Sequence, residues 1–335
     1  MEKDSVIIIT GAAGFIGSCM VQYLNEQGYE NLILVDKFRH TEKEKNWKYK
    51  KYKYTVDREL LLEWLDEKNK NIKIDLVIHL GARTDTTEFD YNIHKELNEE
   101  YSQDVWNYCT ANNVPLIYAS SAATYGNGDL GYDDDDKMLC DLQPLNPYGK
   151  SKHEFDKWAV QQLNAPPCWA GLKFFNVYGP NEYHKARMAS VIFHAHKQIE
   201  THGFVKLFKS YKDEFKDGEQ LRDFIYVKDI LKVIFWIAET MSSGKWTADK
   251  NGIYNVGTGK ARTFIDLVYA TFAALDKQPE INFTEMPADI INSYQYFTEA
   301  SMLKLKHAGY EDEFTSLEEG VEDYVRNYLS KKEYY

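Results

Sequence analysis

Tyr148 and Lys152, four residues apart, fall on one face of an expected helix, where they could move a proton on and off a hydroxyl or carbonyl oxygen. A free tyrosine titrates near about 10, so a base at neutral pH needs roughly 4 kcal/mol of extra phenolate stabilisation. A neighbouring ammonium is one source of it, and a positively charged bound ring is another. The chain holds 25 tyrosines, so a Tyr-x-x-x-Lys pair can arise by accident and its position has to decide. Here the pair opens the helix after the fourth expected strand. That strand runs out in Ala119-Ser120-Ser121-Ala122-Ala123-Thr124-Tyr125-Gly126, and Ser121 leaves it at the carboxyl end. Ser121 alone could equally satisfy loop backbone. Joined to Tyr148 and Lys152, it completes a set able to bond an oxygen whose carbon gains or loses hydride.

A hydride needs an acceptor, and the first strand leads to a place for one. Gly11-Ala12-Ala13-Gly14-Phe15-Ile16-Gly17 follows that strand directly and opens the first helix. Glycines there let the backbone turn tightly and approach a pyrophosphate at the helix N-terminus. Asp36 ends the second strand, about 20 residues further on, where an acid bonds a ribose hydroxyl. A nicotinamide dinucleotide is the ligand this spacing predicts. Asp36 by itself favours NAD, whereas Lys37, Arg39 and Lys43 could embrace the extra phosphate of NADP, so both cofactors stay open at this point. Leu80-Gly81-Ala82, after the third strand, is either a second contact or a plain turn.

Behind these residues lies an alternating pattern. Strands are expected at 6–9, 32–35, 76–79, 116–120 and 170–175, with helices at 15–27, 59–69, 96–111 and 148–163. Strands apolar throughout and separated by helices predict a doubly wound parallel α/β (Rossmann) sheet covered on both faces. After residue 176 the pattern loosens into a helix near 189–198, an apolar run at 205–208 and a polar stretch. Strands at 224–227 and 253–256 around a helix at 229–239 suggest that the sheet resumes. The expected division is therefore a dinucleotide-binding lobe of 1–176 with 223–268, and a smaller mixed α/β substrate-binding lobe of 177–222 with 269–335.

The 335 residues, 44% hydrophobic and 27% charged, suit a soluble globular enzyme. A net charge of −12 argues against a nucleic-acid partner, though a locally basic cleft can still take an anion. No apolar run is long enough for a membrane span, and the N-terminus reads as a strand instead of a signal, which predicts a cytoplasmic protein. Cys19, Cys109, Cys140 and Cys168 form no CxxC pair, and His194 and His196 share no helix face, so neither disulfides nor a metal are expected. The loop 128–137, with four successive aspartates, reads as a solvated turn. The basic run 43–53 reads as a solvated face, with a second reading in which part of it meets a cofactor phosphate. His184 reads as a loop histidine.

Together the glycine loop, Ser120–Gly126, Tyr148/Lys152, Phe175-Asn176-Val177-Tyr178-Gly179-Pro180, Arg222-Asp223-Phe224-Ile225-Tyr226-Val227 and Asn255-Val256-Gly257-Thr258-Gly259 resemble the extended short-chain dehydrogenase/reductase family, in order and over nearly the whole chain. More narrowly, Thr86-Thr87-Glu88, His184-Lys185, Met188-Ala189-Ser190-Val191 and Tyr294-Gln295-Tyr296-Phe297-Thr298 are similar to its ADP-heptose 6-epimerase branch. The resemblance implies a permanently bound NADP, with Gly11, Gly14, Phe15, Ile16, Gly17, Asp36, Lys37, Lys43, Arg58, Leu80, Gly81, Ala82, Asn98, Lys152, Val177 and Lys185 around it. It implies Asn176, Arg187, His194, Phe208, Lys209, Ser210, Tyr211, Arg222 and Tyr294 around an ADP-sugar. It makes Lys185 a second catalytic residue and suggests a homo-oligomer, a pentamer in the family. Arg187 stands where the family has a small polar residue, and 212–221 looks like an insertion before Arg222.

The implied reaction is inversion at C6 of ADP-D-glycero-D-manno-heptose through a 6-keto sugar, supplying lipopolysaccharide heptose. Another sugar-nucleotide enzyme, of the UDP-hexose 4-epimerase type, is the first rival. A dehydratase would need an acid/base pair where Ala122 and Ala123 stand. A non-catalytic NADP-binding protein is the second rival, against which Ser121, Tyr148 and Lys152 all speak.

Overall fold

The structure, a computed structural model, describes residues 1–68, 72–287, 291 and 294–335. Six strands lead the chain: β1 (Ile7–Thr10), β2 (Leu32–Asp36), β3 (Tyr54–Asp57), β4 (Leu76–His79), β5 (Leu116–Ser121) and β6 (Trp169–Phe174). There follow β7 (Asn176–Tyr178), β8 (Val205–Phe208), β9 (Leu221–Arg222), β10 (Phe224–Tyr226), β11 (Gly252–Val256), β12 (Arg262–Thr263) and β13 (Ile281–Thr284). The large sheet has the order β3-β2-β1-β4-β5-β6-β11 and is parallel throughout. β1, β2, β4, β6 and β11 are buried at every position, as strands covered on both faces must be. The chain runs outward from β1 to β3, then returns to the other side of β1 to begin β4. That reversal opens a crevice at the carboxyl ends of β1 and β4.

Helix Phe15–Glu26 packs Cys19, Met20, Val21 and Leu24 onto the sheet. Helix Pro147–Val160 is started by Asn146, whose side chain accepts from the Gly149 N–H at 2.8 Å, and by proline in its first turn. Its Phe155 packs edge-on against Trp106 and Tyr118, which fixes the face that carries Tyr148 and Lys152. Helix Val227–Ser242 buries Ile230, Ile234, Ile237 and Met241 at helical spacing. Among the described residues no helix is long and apolar enough to cross a membrane.

The structure departs from the sequence reading in four places and bears out the second expected helix over its described residues. The edge strand β3 went unanticipated, because Tyr54 and Thr55 are exposed and only Val56 carries an apolar signal. Residues 224–227 do not rejoin the large sheet: β10 pairs with β7 in a separate ribbon, and β11 takes the sheet edge beside β6. The helix expected at 59–69 is present from 58 to 68, its last residue lying outside the described residues. The acidic run is not simply solvated. Asp134 is buried, accepts from the Asn255 N–H at 2.7 Å and has its carboxyl pushed up to about 6 by burial, while Asp136 pairs with Lys304 at 3.0 Å. Nor is the basic run a free face, since Asn46 is buried and Lys50 reaches the backbone of Tyr335.

Candidate active site

The crevice begins at the glycine loop. Gly11 has φ +69°, and a Cβ there would stand 2.7 Å from the Gly81 nitrogen, so only glycine lets this loop nest against the turn after β4. At Gly17 a Cβ would meet the Gly11 carbonyl at 2.1 Å, which is what brings the helix close under the loop. The Gly81 N–H donates to Thr10 Oγ1 at 3.0 Å, and Thr10 bonds His79 Nδ1 at 2.7 Å. His79 Nε2 meets Ser102 at 3.0 Å, and burial pulls its pKa down to about 3, so this strut is neutral. Helix Phe15–Glu26 starts without a side-chain cap or an acidic residue in its first turn, leaving its N–H groups to an anion.

Asp36 sits at the far end of this half. It accepts from the N–H groups of Ala13 at 3.0 Å and Lys37 at 2.7 Å, with the Lys43 ammonium 3.8 Å away. Lys43, Arg58 and His184 line the same walls as Asp36, and Arg58 Nε is buried without a hydrogen-bond partner among the described residues. Burial holds His184 down at about 4, so it is a neutral wall residue rather than a plain loop histidine. The glycine cradle, the open helix end and the orphaned guanidinium nitrogen fit a nicotinamide dinucleotide. Lys37 turns away to Glu59 at 3.1 Å. Asn98 lies behind the wall, bonding the Arg83 backbone at 2.6 and 2.9 Å and Ser151 at 3.0 Å.

Phe15, Ile16, Leu80, Ala82 and Lys185 border both this half and an adjoining chamber, into which Ser121, Tyr148, Lys152, Asn176 and Val177 also open. The expected catalytic residues therefore meet in one chamber. Lys152 is 3% exposed and donates to the Ala119 carbonyl at 3.0 Å, and burial lowers its pKa to about 8 against the pull of Asp156. Ser121 Oγ accepts from the Ala123 N–H at 3.1 Å. Burial raises the Tyr148 phenol above its ordinary value, while a bond to Ser121 works the other way. The expected lowering by Lys152 is absent from the chain alone: Ser121 is the group that works against desolvation. Behind the chamber, the buried Asp156 accepts from Ser120 at 2.6 Å and pairs with the buried Lys173 at 3.0 Å, locking β5, β6 and the Tyr148 helix together.

Lys185 approaches from another wall, the loop after β7, with its Nζ 5.2 Å from the Phe15 ring centre. Burial lowers its pKa, and Glu182 opposes the shift. The next residue, Ala186, has φ 48° and ψ −123°, a conformation that suits glycine. Strain of this kind costs about 1–3 kcal/mol. Ala186→Gly should therefore stabilise the protein, net of glycine's extra unfolded-state freedom, by about 1 kcal/mol and raise Tm by about 1–3 °C. A fall in Tm on calorimetry would show the backbone there to be unstrained.

Arg222 closes the chamber's outer end. Its guanidinium lies 5.6 Å from the Phe264 ring centre and 5.2 Å from that of Tyr294, bonds the Leu221 carbonyl at 2.9 Å and reaches the Gln295 carbonyl. Among the described residues no carboxylate pairs with it, so its charge is open to a diphosphate. Phe208 sets its edge on Tyr294 at 6.4 Å, which gathers Phe208, Arg222 and Tyr294 into one cluster. Lys209 and Tyr211 on the following loop both bond Glu285, and the Ser210 N–H bonds Asp217. Arg187 is exposed, and neither it nor His194 borders the chamber. Thr10, Thr84, Tyr101, His184, Ser190 and Phe264 do border the two halves, and sequence reasoning singled out none of them as site residues. Only Thr10, closing the first strand, had a local signal.

This sheet and crevice define a nicotinamide-dependent enzyme of the kind that works on a hydroxyl-bearing carbon. The chain belongs to the NAD dependent epimerase/dehydratase family, whose model matches residues 7–257. It is 50% identical to the ADP-L-glycero-D-manno-heptose-6-epimerase of Fusobacterium nucleatum, over 98% of this chain and 100% of that one. To the protein of the same name from Nitratidesulfovibrio vulgaris it is 46% identical, over 96% and 98%. The crystal structure of Helicobacter pylori ADP-L-glycero-D-manno-heptose-6-epimerase superposes with a TM-score of 0.80 at 26% identity, covering 97% of each chain.

Proposed function

We propose that the protein inverts C6 of ADP-D-glycero-D-manno-heptose, giving the L-glycero-D-manno sugar for lipopolysaccharide. The relatives' shared name gives the substrate, and one observation carries the mechanism: a second ionisable group, Lys185, opens into the chamber that holds Tyr148. Inversion through a 6-keto sugar presents the C6 oxygen in two opposed positions. Tyr148 and Lys185, on separate elements, divide the proton work, one taking the hydroxyl proton and the other returning it. A bound nicotinamide supplies a reversible hydride acceptor, so the sugar undergoes no net oxidation. Ser121 holds the reacting oxygen, and Lys152, fixed to the Ala119 carbonyl, orients the cofactor ribose. Arg222, with Phe208 and Tyr294, clamps the ADP part while the sugar part turns, so binding energy far from C6 serves the reacting end.

The cofactor is NADP in this reading, because Lys43 and Arg58 stand beside Asp36 and two cations outweigh one acid for a 2′-phosphate. We take 1–176 with 223–268 as the cofactor lobe and 177–222 with 269–335 as the substrate lobe of a cytoplasmic homo-oligomer. Since the cofactor is regenerated in every turnover, protein passed through gel filtration should still carry about one NADP(H) per chain and turn over without added nicotinamide. Bare protein that needs a stoichiometric oxidant would contradict this.

A further inference from the structure

Glu182 is fully buried, and nothing above gives it a chemical role. It begins the loop that carries Lys185, and its carboxylate reaches that loop's far end. One oxygen accepts the Ser190 N–H at 2.6 Å, and the other accepts the Ser190 hydroxyl at 2.6 Å. The second oxygen also accepts the Tyr324 hydroxyl at 2.9 Å, from the C-terminal helix Tyr324–Leu329. Ser190 in turn caps helix Val191–His202. Residues 182–190 are therefore closed into a clasp, and within it the Lys185 N–H donates to the Glu182 carbonyl at 2.9 Å. Burial raises the pKa of this carboxyl, while Lys185 and the three donors from Ser190 and Tyr324 work the other way, towards the ionised form.

We propose that Glu182 is the positioning residue for Lys185: its buried carboxylate holds the loop in shape and provides the negative charge that compensates the lysine's ammonium, with Tyr324 bracing it from the C-terminal helix. Across the chamber from Lys185 stand Tyr148 and Lys152 on their helix and Arg222 at the outer end, and Arg58 lines the cofactor half. Glu182 and His184 come from the lysine's own loop and the Phe15 ring from the first helix, with Lys43 and Asp36 beyond His184. Of these, Glu182 is the one that favours the charged lysine. Lys185 is half-buried in the chamber wall, where a charge is costly without an anion nearby, and removing the Glu182 carboxylate takes that anion away.

The inference rests on reading Lys185 as a proton-transfer residue, and the test separates the two. In the cofactor-loaded enzyme, the pH dependence of Lys185 acylation by an N-hydroxysuccinimide ester, followed by mass spectrometry, reports the lysine's titration without reference to catalysis. Glu182→Gln should move the labelling midpoint to lower pH and cut kcat by about 10²-fold, the scale of a small misplacement, with KM within a few-fold. Tyr324→Phe keeps the charge and should leave the midpoint where it is. An unchanged midpoint in Glu182→Gln, or an equal shift in both variants, overturns the proposal. A shifted midpoint with kcat intact upholds Glu182 and removes Lys185 from the chemistry. If Glu182→Gln does not fold alone, its double variant with Lys185→Met decides. The charge account expects the second substitution to restore thermal stability, and a further loss would contradict it.

Discussion

Tyr148→Phe should lower kcat by at least the roughly 10²–10⁴-fold typical of a proton-transfer group, with cofactor content nearly unchanged. The substitution removes the hydroxyl and keeps the ring in the wall it shares with Ser121 and Lys152. The chain alone raises the phenol's pKa, so the hydroxyl gains base character only when a bound cationic ring adds to the pull of Ser121. Lys152→Met should differ in kind, lowering both activity and cofactor retention, because its ammonium is fixed at 3.0 Å from the Ala119 carbonyl. Near-normal turnover by Tyr148→Phe in a coupled assay would remove the tyrosine from the mechanism.

The second large effect belongs to Lys185. Lys185→Met should abolish epimerisation in both directions while the Kd for the ADP-sugar stays within a few-fold. Two positions of one oxygen call for two proton-transfer groups on different elements, and among the described residues Lys185 is the ionisable side chain that borders both halves of the crevice. If Lys185 only bound diphosphate, its loss would raise KM and spare kcat. Measuring both constants distinguishes the outcomes, and a preserved kcat with lost affinity rejects the shared mechanism.

What could be read from the chain follows how local each demand is. Gly17 answers to the Gly11 carbonyl within its own loop and Gly11 to its own positive φ, so their spacing announced the crevice before any fold was known, although Gly11 also nests against the distant Gly81. Tyr148 and Lys152 share a helix face by simple periodicity, and Ser121 stands at a strand end. Lys185, by contrast, has no local signature and entered only through the family resemblance. Thr84, Tyr101 and Phe264 become wall residues solely because distant elements converge. The acidic run misled because Asp134 is buried by Asn255 and Lys304, far away in sequence. In the same way β3 is held by its pairing with β2 and not by its own composition.

The central claim is inversion at C6 of an ADP-linked heptose. Incubation of the purified protein with ADP-D-glycero-D-manno-heptose, without added nicotinamide and followed by proton NMR, tests it most directly. The account predicts that the C6 resonances convert to an equilibrium mixture of the two C6 epimers. Unchanged substrate, or inversion at C4 with C6 intact, would contradict it.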